Sequence, residues 1–338
     1  MTEKDFLKNK IDKYSRFLKR DLTKNEEKLL SKLTSEIEHL TDEDKKRIKK
    51  EILSGSLEEK IVRSKMLIID WYCKYDGKVY VSFSGGKDST VLLHLVRSIF
   101  PDVPAVFADT GLEYPEIKEF VKTIENVTVI RPKMSFKQVL EKYGFPIISK
   151  EQSQYIEQYK NAKSEKTKNT RWNGNKWGQG KISEKWKYLV NAPFKITDKC
   201  CNVFKKDPFK RYEKETRRKP IVGVMAGESS QRLVYYLKGE CNAFNAKRPI
   251  SKPIFFWNEV DVWKYIRDFN VSFSKIYNMG YERTGCMFCM FGTHHDEKGN
   301  TRFHKMKKTH PKLYNYCMDK LGLKKVLDIY LKRDFEKD

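Results

Sequence analysis

No stretch of the 338-residue sequence reaches the roughly 18 consecutive apolar residues of a membrane-crossing helix. The N-terminal MTEKDFLKNKIDKY is charged from the start and lacks the apolar core of a secretory signal, so the expected location is cytoplasmic, with no membrane partner. Cysteines are few and odd in number, seven with two adjacent, which fits reduced thiols or metal ligands better than a secreted disulfide framework. The Walker pattern G-x-x-x-x-G-K-[ST] is missing, which excludes a nucleotide site of that kind. Acidic residues are in deficit, 45 Asp and Glu against 69 Lys and Arg, and the resulting +24 points to polyanions as partners.

What is present begins with VYVSFSGGKDST, residues 79–90. Val79, Val81 and Phe83 alternate as in a strand, Gly85 and Gly86 let the backbone turn its N–H groups inward, and VLLHLVRSI opens a helix whose N-terminus favours an anion. Ser84, Gly85, Gly86, Lys87, Asp88 and Ser89 therefore form a candidate phosphate cradle. Lys87 supplies a point charge, and Asp88 and Ser89 either cap the helix or position a metal-bound phosphate.

Strand and helix patterns keep alternating: PAVFAD (104–109) then a helix from Pro115, VTVIRP (127–132) then a helix near 135–143, and PIVGVMA (220–226) then a helix from Glu228 to Leu237. This rhythm predicts an α/β fold with a doubly wound parallel sheet, whose ligands lie beyond the carboxyl ends of the strands. Asp109-Thr110-Gly111 and Gly227-Glu228-Ser229-Ser230 follow two of these strands and are expected to converge with the cradle.

Residues 1–75 read as a helical N-terminal extension, with Leu29, Leu30, Leu33, Ile37 and Leu40 on one stripe behind a Thr23–Glu26 capping box and further helix starts at Thr41 and Ser56. Residues 76–270 read as the nucleotide-binding domain, and 271–338 as a C-terminal cysteine-bearing and helical region. An insertion at about 150–199 shows no clear rhythm, and its 167–181 stretch reads as a flexible loop. Residues 150–219 hold 20 Lys/Arg and 8 Asp/Glu, with Tyr155, Tyr159, Trp172, Trp177, Trp186 and Tyr188 threaded through the same stretch. Such a stretch fits a DNA or RNA strand, and equally a solvated insertion whose aromatics dock on the core.

Cys200-Cys201 and Cys286-Met-Phe-Cys289 make a four-thiol set suited to zinc or an iron–sulfur cluster; an adjacent pair is a rare way to hold one ion and favours iron–sulfur. Lys199, Lys205, Lys206 and Arg283 lie close in sequence, and their charge would stabilise an anionic cluster. His294 and His295 could complete a zinc site with Cys286 and Cys289 but read rather as surface or phosphate-contacting residues, Cys73 and Cys241 read as packing thiols, and Cys317 falls on an amphipathic helix as an inert half-buried thiol.

Together, SFSGGKDST, ADTGLEYPEI (108–117), KCCNVFKKDPFKRYEKE (199–215), GESSQR (227–232) and the 253–289 stretch ending in TGCMFC resemble the phosphoadenosine phosphosulfate (PAPS) reductase family of the ATP pyrophosphatase (PP-loop) superfamily. The resemblance implies an adenine nucleotide alpha hydrolase-like fold that binds ATP, or adenylyl sulfate or PAPS, with Mg2+. It implies a [4Fe-4S] cluster on Cys200, Cys201, Cys286 and Cys289, and matches Lys205 to the lysine that follows the cysteine pair and Arg232 to a substrate-contacting arginine.

Two departures shape the functional expectation. The cradle is complete, as in enzymes that split ATP between its α and β phosphates, and the reductases' C-terminal Glu-Cys-Gly-[Leu/Ile]-His is absent. The first expectation is thus an iron–sulfur ATP pyrophosphatase that adenylates a substrate in sulfur transfer or nucleic-acid modification, with Lys87, Asp88 and Arg232 in the chemistry. The alternatives are a sulfonucleotide reductase using Cys317 and a thioredoxin-like reductant, and a non-catalytic nucleotide- and nucleic-acid-binding accessory protein.

Overall fold

The computed structural model describes residues 3–27, 42–332 and 335. The chain divides into two compact units: Met1–Ala108, Pro115–Ile130 and Arg211–Tyr277 form the first, and Asp109–Tyr114, Arg131–Lys210 and Asn278–Asp338 the second. This departs from a linear succession of 1–75, 76–270 and 271–338. The N-terminal helices group with the sheet, and the basic insertion groups with the C-terminal cysteine region.

The first unit is built on a six-stranded sheet of order β3-β2-β1-β5-β7-β6, with β1 Val79–Phe83, β2 Ala105–Ala108, β3 Val127–Ile130, β5 Lys219–Val222, β6 Asn242–Ala243 and β7 Ile250–Ser251. All pairings are parallel except β6 with β7. β1 and β2 are buried almost throughout, which is why VYVSF and AVFA read as near-continuous apolar runs. Strand order reverses between β1 and β5, the position at which doubly wound sheets take their ligands. PIVGVMA does not pair over its whole length: the strand ends at Val222 and Gly223 turns away.

Helices cover this sheet. Leu57–Lys74 starts at a reciprocal Ser56–Glu59 capping box. Glu3–Leu18 docks on it through Lys13 Nζ to Asp70 at 2.6 Å and the Tyr14 hydroxyl donating to Asp70 at 3.0 Å. Asp42–Ser54 is tied to Ser230–Lys238 by Lys49, which donates to the Leu237 and Gly239 carbonyls. The Thr23–Glu26 box forms, with the Glu26 N–H donating to Thr23 Oγ1 at 3.2 Å and the Thr23 N–H to Glu26 Oε2 at 2.8 Å. The expected stripe from Leu29 to Leu40 and the start at Thr41 lie outside the described residues.

In the second unit, β4 (Ile147–Ile148) pairs in parallel with β8 (Met290–Phe291). Around this ladder lie the helices Phe136–Tyr143, Lys150–Asn161, Glu165–Asn173, Arg302–Thr309 and Leu323–Leu331, with Ile147, Ile156, Leu189, Met290, Phe303 and Leu327 in the core. The insertion is therefore ordered into helices, contrary to the sequence expectation. Its pattern is faint because Glu165–Asn173 buries no residue and Lys150–Asn161 only two. The 167–181 stretch is the end of a helix followed by a hydrogen-bonded loop. Among the described residues no helix is long and apolar enough to cross a membrane.

Candidate functional site

In the first unit the glycine cradle links β1 to the helix Lys87–Arg97. Gly85 has φ +72°, and a Cβ there would stand 2.8 Å from Ile117 Cγ2 and 2.9 Å from Val121 Cγ2, so both conformation and packing demand glycine. Ser89 ties the turn together: its hydroxyl donates to the Gly86 carbonyl at 2.9 Å and accepts the Ser84 N–H at 3.1 Å. Lys87 is buried, with Nζ 3.7 Å from Asp88 Oδ1 and 3.2 Å from Glu259 Oε1. Its backbone N–H donates to the Tyr277 hydroxyl at 2.8 Å.

Glu259 opens the helix Glu259–Asp268, whose start is fixed by the Asn258–Asp261 capping box and by the buried pair of Lys60 with Asp261 at 2.7 Å. Gly223, directly after β5, presses on the same turn: a Cβ would lie 3.1 Å from the Asp88 carbonyl oxygen and 3.2 Å from Ser89 Cα. Downstream, Ser229 caps Ser230–Lys238 by accepting the Arg232 N–H, Arg232 pairs with Glu228, and Glu228 also accepts the Met225 N–H at 2.8 Å. Gly223, Glu259 and Tyr277 were not singled out from sequence. They meet the cradle through tertiary contacts that no local pattern announces.

The Asp109-Thr110-Gly111 turn belongs to the second unit. Thr110 donates its N–H and its hydroxyl to the two Glu113 carboxylate oxygens, at 3.0 and 2.5 Å, and Arg131 Nε lies 3.4 Å from Asp109. The Leu112 carbonyl accepts the Met287 N–H at 2.8 Å, which ties this turn to the Cys286–Cys289 loop.

The four candidate cysteines share one electrostatic neighbourhood in the second unit. Cys200 and Cys201 stand 4.0 Å apart between sulfurs, at the entry to the π-helical turn Asn202–Lys206 that carries Lys205. The hydrogen bond with Cys200 brings the Cys201 thiol down to about 6 against the effect of burial, helped by Lys150 and Lys205; the same bond, together with burial, pushes Cys200 up. Burial raises Cys286 to about 11 and also raises Cys289. Cys286, followed by Cys201, Glu113 and Cys289, holds the Lys205 ammonium above the ordinary lysine range.

Ile148, two residues before Lys150, has φ +62°, a costly conformation for a β-branched residue. Among the described residues no three His, Cys, Asp or Glu side chains have closed to the separations of a single-ion site. Four thiols faced by Lys150, Lys205 and Arg302 fit the donor chemistry of an iron–sulfur cluster, which spaces its ligands more widely than one ion does.

Two other candidates are placed differently from the sequence alternatives. Cys317 is fully buried, donates to the Tyr314 carbonyl at 3.2 Å and is pushed up to about 12 by burial. Burial and a raised pKa are the opposite of the exposed, thiolate-favouring environment of a reactive cysteine. His294 sits among aromatics, its Nδ1 2.5 Å from the Tyr330 hydroxyl and its ring 4.9 Å from that of Trp186.

Residues 78–171 and 148–291 match the model of the phosphoadenosine phosphosulfate reductase domain. An uncharacterized protein of Methanocaldococcus jannaschii is 29% identical over 280 residues, 78% of this chain and 53% of that protein, so the chain spans about half of its length. Adenosine 5'-phosphosulfate reductase 2 of Bacillus subtilis is 25% identical over 249 residues, 71% of this chain and 84% of the relative. Among solved structures, the U34-tRNA thiolase NcsA from Methanococcus maripaludis with its [4Fe-4S] cluster aligns over 80% of each chain, with a TM-score of 0.38 and 14% identity. Because the domain match runs from the residue before β1 to two residues past Cys289, more than half of the sequence, the protein belongs to the phosphoadenosine phosphosulfate reductase domain family.

Proposed function

We propose that the chain is an ATP pyrophosphatase that adenylates a substrate in sulfur transfer or nucleic-acid modification. The observation that carries this reading is the intact cradle: Gly85 held at positive φ, Lys87 at the first position of the helix, and Gly223 packed against the turn at the sheet's switch point. Such a turn presents backbone N–H groups and a buried ammonium to a triphosphate.

An acceptor oxygen would attack the α-phosphorus of ATP, forming one O–P bond and breaking the bond to the bridging oxygen, so that pyrophosphate leaves with Mg2+. Lys87 would hold phosphate oxygens, Asp88 the pyrophosphate-bound Mg2+, and Arg232 would offset charge that develops in the transition state. Ser84, Gly86 and Ser89 would shape the cradle, while Asp109, Thr110, Gly111, Gly227, Glu228 and Ser229 are carried as nucleotide-lining candidates by family resemblance. Cys200, Cys201, Cys286 and Cys289 would hold a [4Fe-4S] cluster beside Lys205; when bound, a cluster with all four irons thiolate-ligated would tie the two cysteine segments together and supply a redox-active centre. The basic 150–219 stretch would bind the nucleic acid.

The test is pyrophosphate release from ATP and Mg2+ by iron-loaded protein offered single-stranded RNA or DNA. Release that disappears in Lys87→Ala is the expected result, and no release with any acceptor overturns the reading. The Bacillus subtilis relative favours a second one, reduction of adenylyl sulfate to sulfite with a thioredoxin-type reductant. The burial of Cys317 weighs against that reading, which assigns it the nucleophile's role.

A further inference from the structure

The loop after the helix Glu165–Asn173 is a built structure with one exposed aromatic at its tip. Gly174 at φ +98° ends the helix, and Gly178 at +71° and Gly180 at +76° supply the turns. The Asn175 side-chain oxygen accepts the N–H groups of both Trp177 and Gln179, while the Asn175 N–H donates to the Gln179 carbonyl and the Gly178 N–H to the Asn175 carbonyl. Below it, Arg171 donates to the Gly180 carbonyl at 2.6 Å and to Gln158 at 2.6 Å, and stacks on Tyr155 at 4.4 Å. The backbone of Trp177 is thus fixed in advance, yet its side chain is 69% exposed.

A tryptophan held out on a rigid loop adds nothing to the core, so its surroundings identify what it meets. Lys176 places its ammonium 4.2 Å from the ring centroid, and Lys185 is exposed nearby in sequence. Beside the loop lies a polar cavity of about 500 Å3 lined by Gln152, Tyr155, Asn175, Gln179 and Lys181 among others. The Gln152 amide is already engaged by the Lys181 carbonyl and the Ser183 N–H, and Tyr155 donates to Glu151 at the rim, so the Gln179 amide and the Lys181 ammonium are the groups that can pair with the edge of a heterocycle. The neighbours of Trp177 in the loop are Asn, Lys, Gly and Gln, too polar for insertion into a lipid surface. A flat π-face, hydrogen-bonding edges and attached negative charge occur together in an unpaired nucleobase. In a duplex the base faces are already stacked.

We propose that Trp177 is a base-stacking finger for a single-stranded nucleic acid, with the adjoining amide-lined cavity receiving the edge of the stacked or neighbouring base. The inference rests on the nucleic-acid partner proposed above and adds the strandedness and the contact. Its tests are affinities of the full-length protein, by fluorescence anisotropy, for a labelled single-stranded RNA 12-mer, the DNA of the same sequence and the corresponding duplexes, over a salt series. Trp177→Ala is expected to weaken single-strand binding about 5- to 100-fold, as loss of one stacked base does. The slope of log affinity against log salt should stay unchanged, because no phosphate contact is lost. Trp177→Phe should restore most of the loss. The RNA and DNA arms show which strand is preferred, and both are single-strand outcomes that support the finger.

If Trp177→Ala binds within about twofold of wild type while binding remains salt-dependent, the finger is wrong and the nucleic-acid reading stands. An equal loss on duplexes overturns the single-strand assignment. Absence of salt-sensitive binding by the wild type removes the underlying reading and the finger with it.

Discussion

The hydroxyl of Tyr277 accepts the backbone N–H of Lys87 at 2.8 Å, at the first residue of the cradle helix. That amide is one of the N-terminal donors a helix cannot satisfy internally, and it is among those an anion would take. If the cradle takes a phosphate as proposed, Tyr277 stands in its place, and an incoming nucleotide would have to displace it. Tyr277→Phe is expected to lose about 0.5–1.5 kcal/mol of stability without ligand, the usual worth of one hydrogen bond. It leaves the N–H open, so ATP should raise the melting temperature more in the variant than in the wild type. A smaller ATP-induced rise, measured by thermal shift, would contradict the displacement.

Gly223 and Gly227 are expected to respond in opposite ways to alanine. At Gly223 the added methyl meets backbone atoms 3.1 and 3.2 Å away in the cradle turn, whereas at Gly227 nothing lies within 4 Å. Overpacking against a backbone that cannot swing aside costs about 1–3 kcal/mol, and here it distorts the turn that would hold phosphate. Gly223→Ala should lower the denaturant midpoint and weaken ATP binding together. Gly227→Ala should stay within about 0.5 kcal/mol of wild type in stability. Equal effects at the two positions would remove the packing argument.

The sheet was readable from sequence because its central strands are buried on both faces and the helices between them carry amphipathic stripes. The end of β5 was not, since the apolar run continues through Met225 while pairing stops where Gly223 turns against the cradle. Tyr277 lies 190 residues from Lys87, and its role depends on a fold that brings the two together. For the cysteines, residue type and spacing carried the donor set. The electrostatic approach of Lys150 to Cys201, and the left-handed conformation of Ile148 two residues earlier, are features that no propensity predicts. The helical insertion stayed hidden because a helix that buries almost nothing leaves no periodic apolar signal.

Protein purified without oxygen is expected to be brown and to contain about four iron and four sulfide per chain, as a [4Fe-4S] centre requires. Cys201→Ser and Cys289→Ser should each lower the iron content and bleach the visible absorption. Lys205→Met leaves all four ligands and removes a positive charge beside them, so its cluster should form but bleach faster in air. A colourless protein carrying one zinc would replace the cluster by a single ion.

His294 is expected to make the second unit acid-sensitive. Burial, followed by repulsion from His295 and Lys185, pushes its imidazole down to about 4 despite the attraction of Asp296, with Arg302 adding to the repulsion. The usual value is about 6.5, so the unfolded chain takes up a proton that the folded chain refuses. The stability His294 contributes is complete above about pH 6.5 and is lost as pH falls toward about 4. Melting temperatures of wild type and His294→Gln should therefore converge on acidification over that window. A constant difference between them would show that His294 does not titrate with folding.

Glu259 pairs with Lys87, and the asymmetry of the pair says how it can let go. Its Oε1 lies 3.2 Å from Lys87 Nζ, yet its side chain is 56% exposed while that of Lys87 is 5% exposed. The lysine is fixed by its surroundings, and the carboxylate can rotate into water. On the proposed function, an arriving triphosphate would meet a negative group already at its cation and have to displace it. Glu259→Gln removes that competition without removing Lys87, and ATP should bind about 2- to 5-fold tighter, since a solvent-reaching ion pair contributes about 0.2–1 kcal/mol. The gain should shrink as salt is raised, because an exposed carboxylate is screened within about 10 Å at 0.1 M. Titration calorimetry at two salt concentrations separates this outcome from its opposite: weaker ATP binding in Glu259→Gln would mean that the carboxylate helps to hold the nucleotide, through Mg2+ or a hydrogen bond, rather than standing in its place.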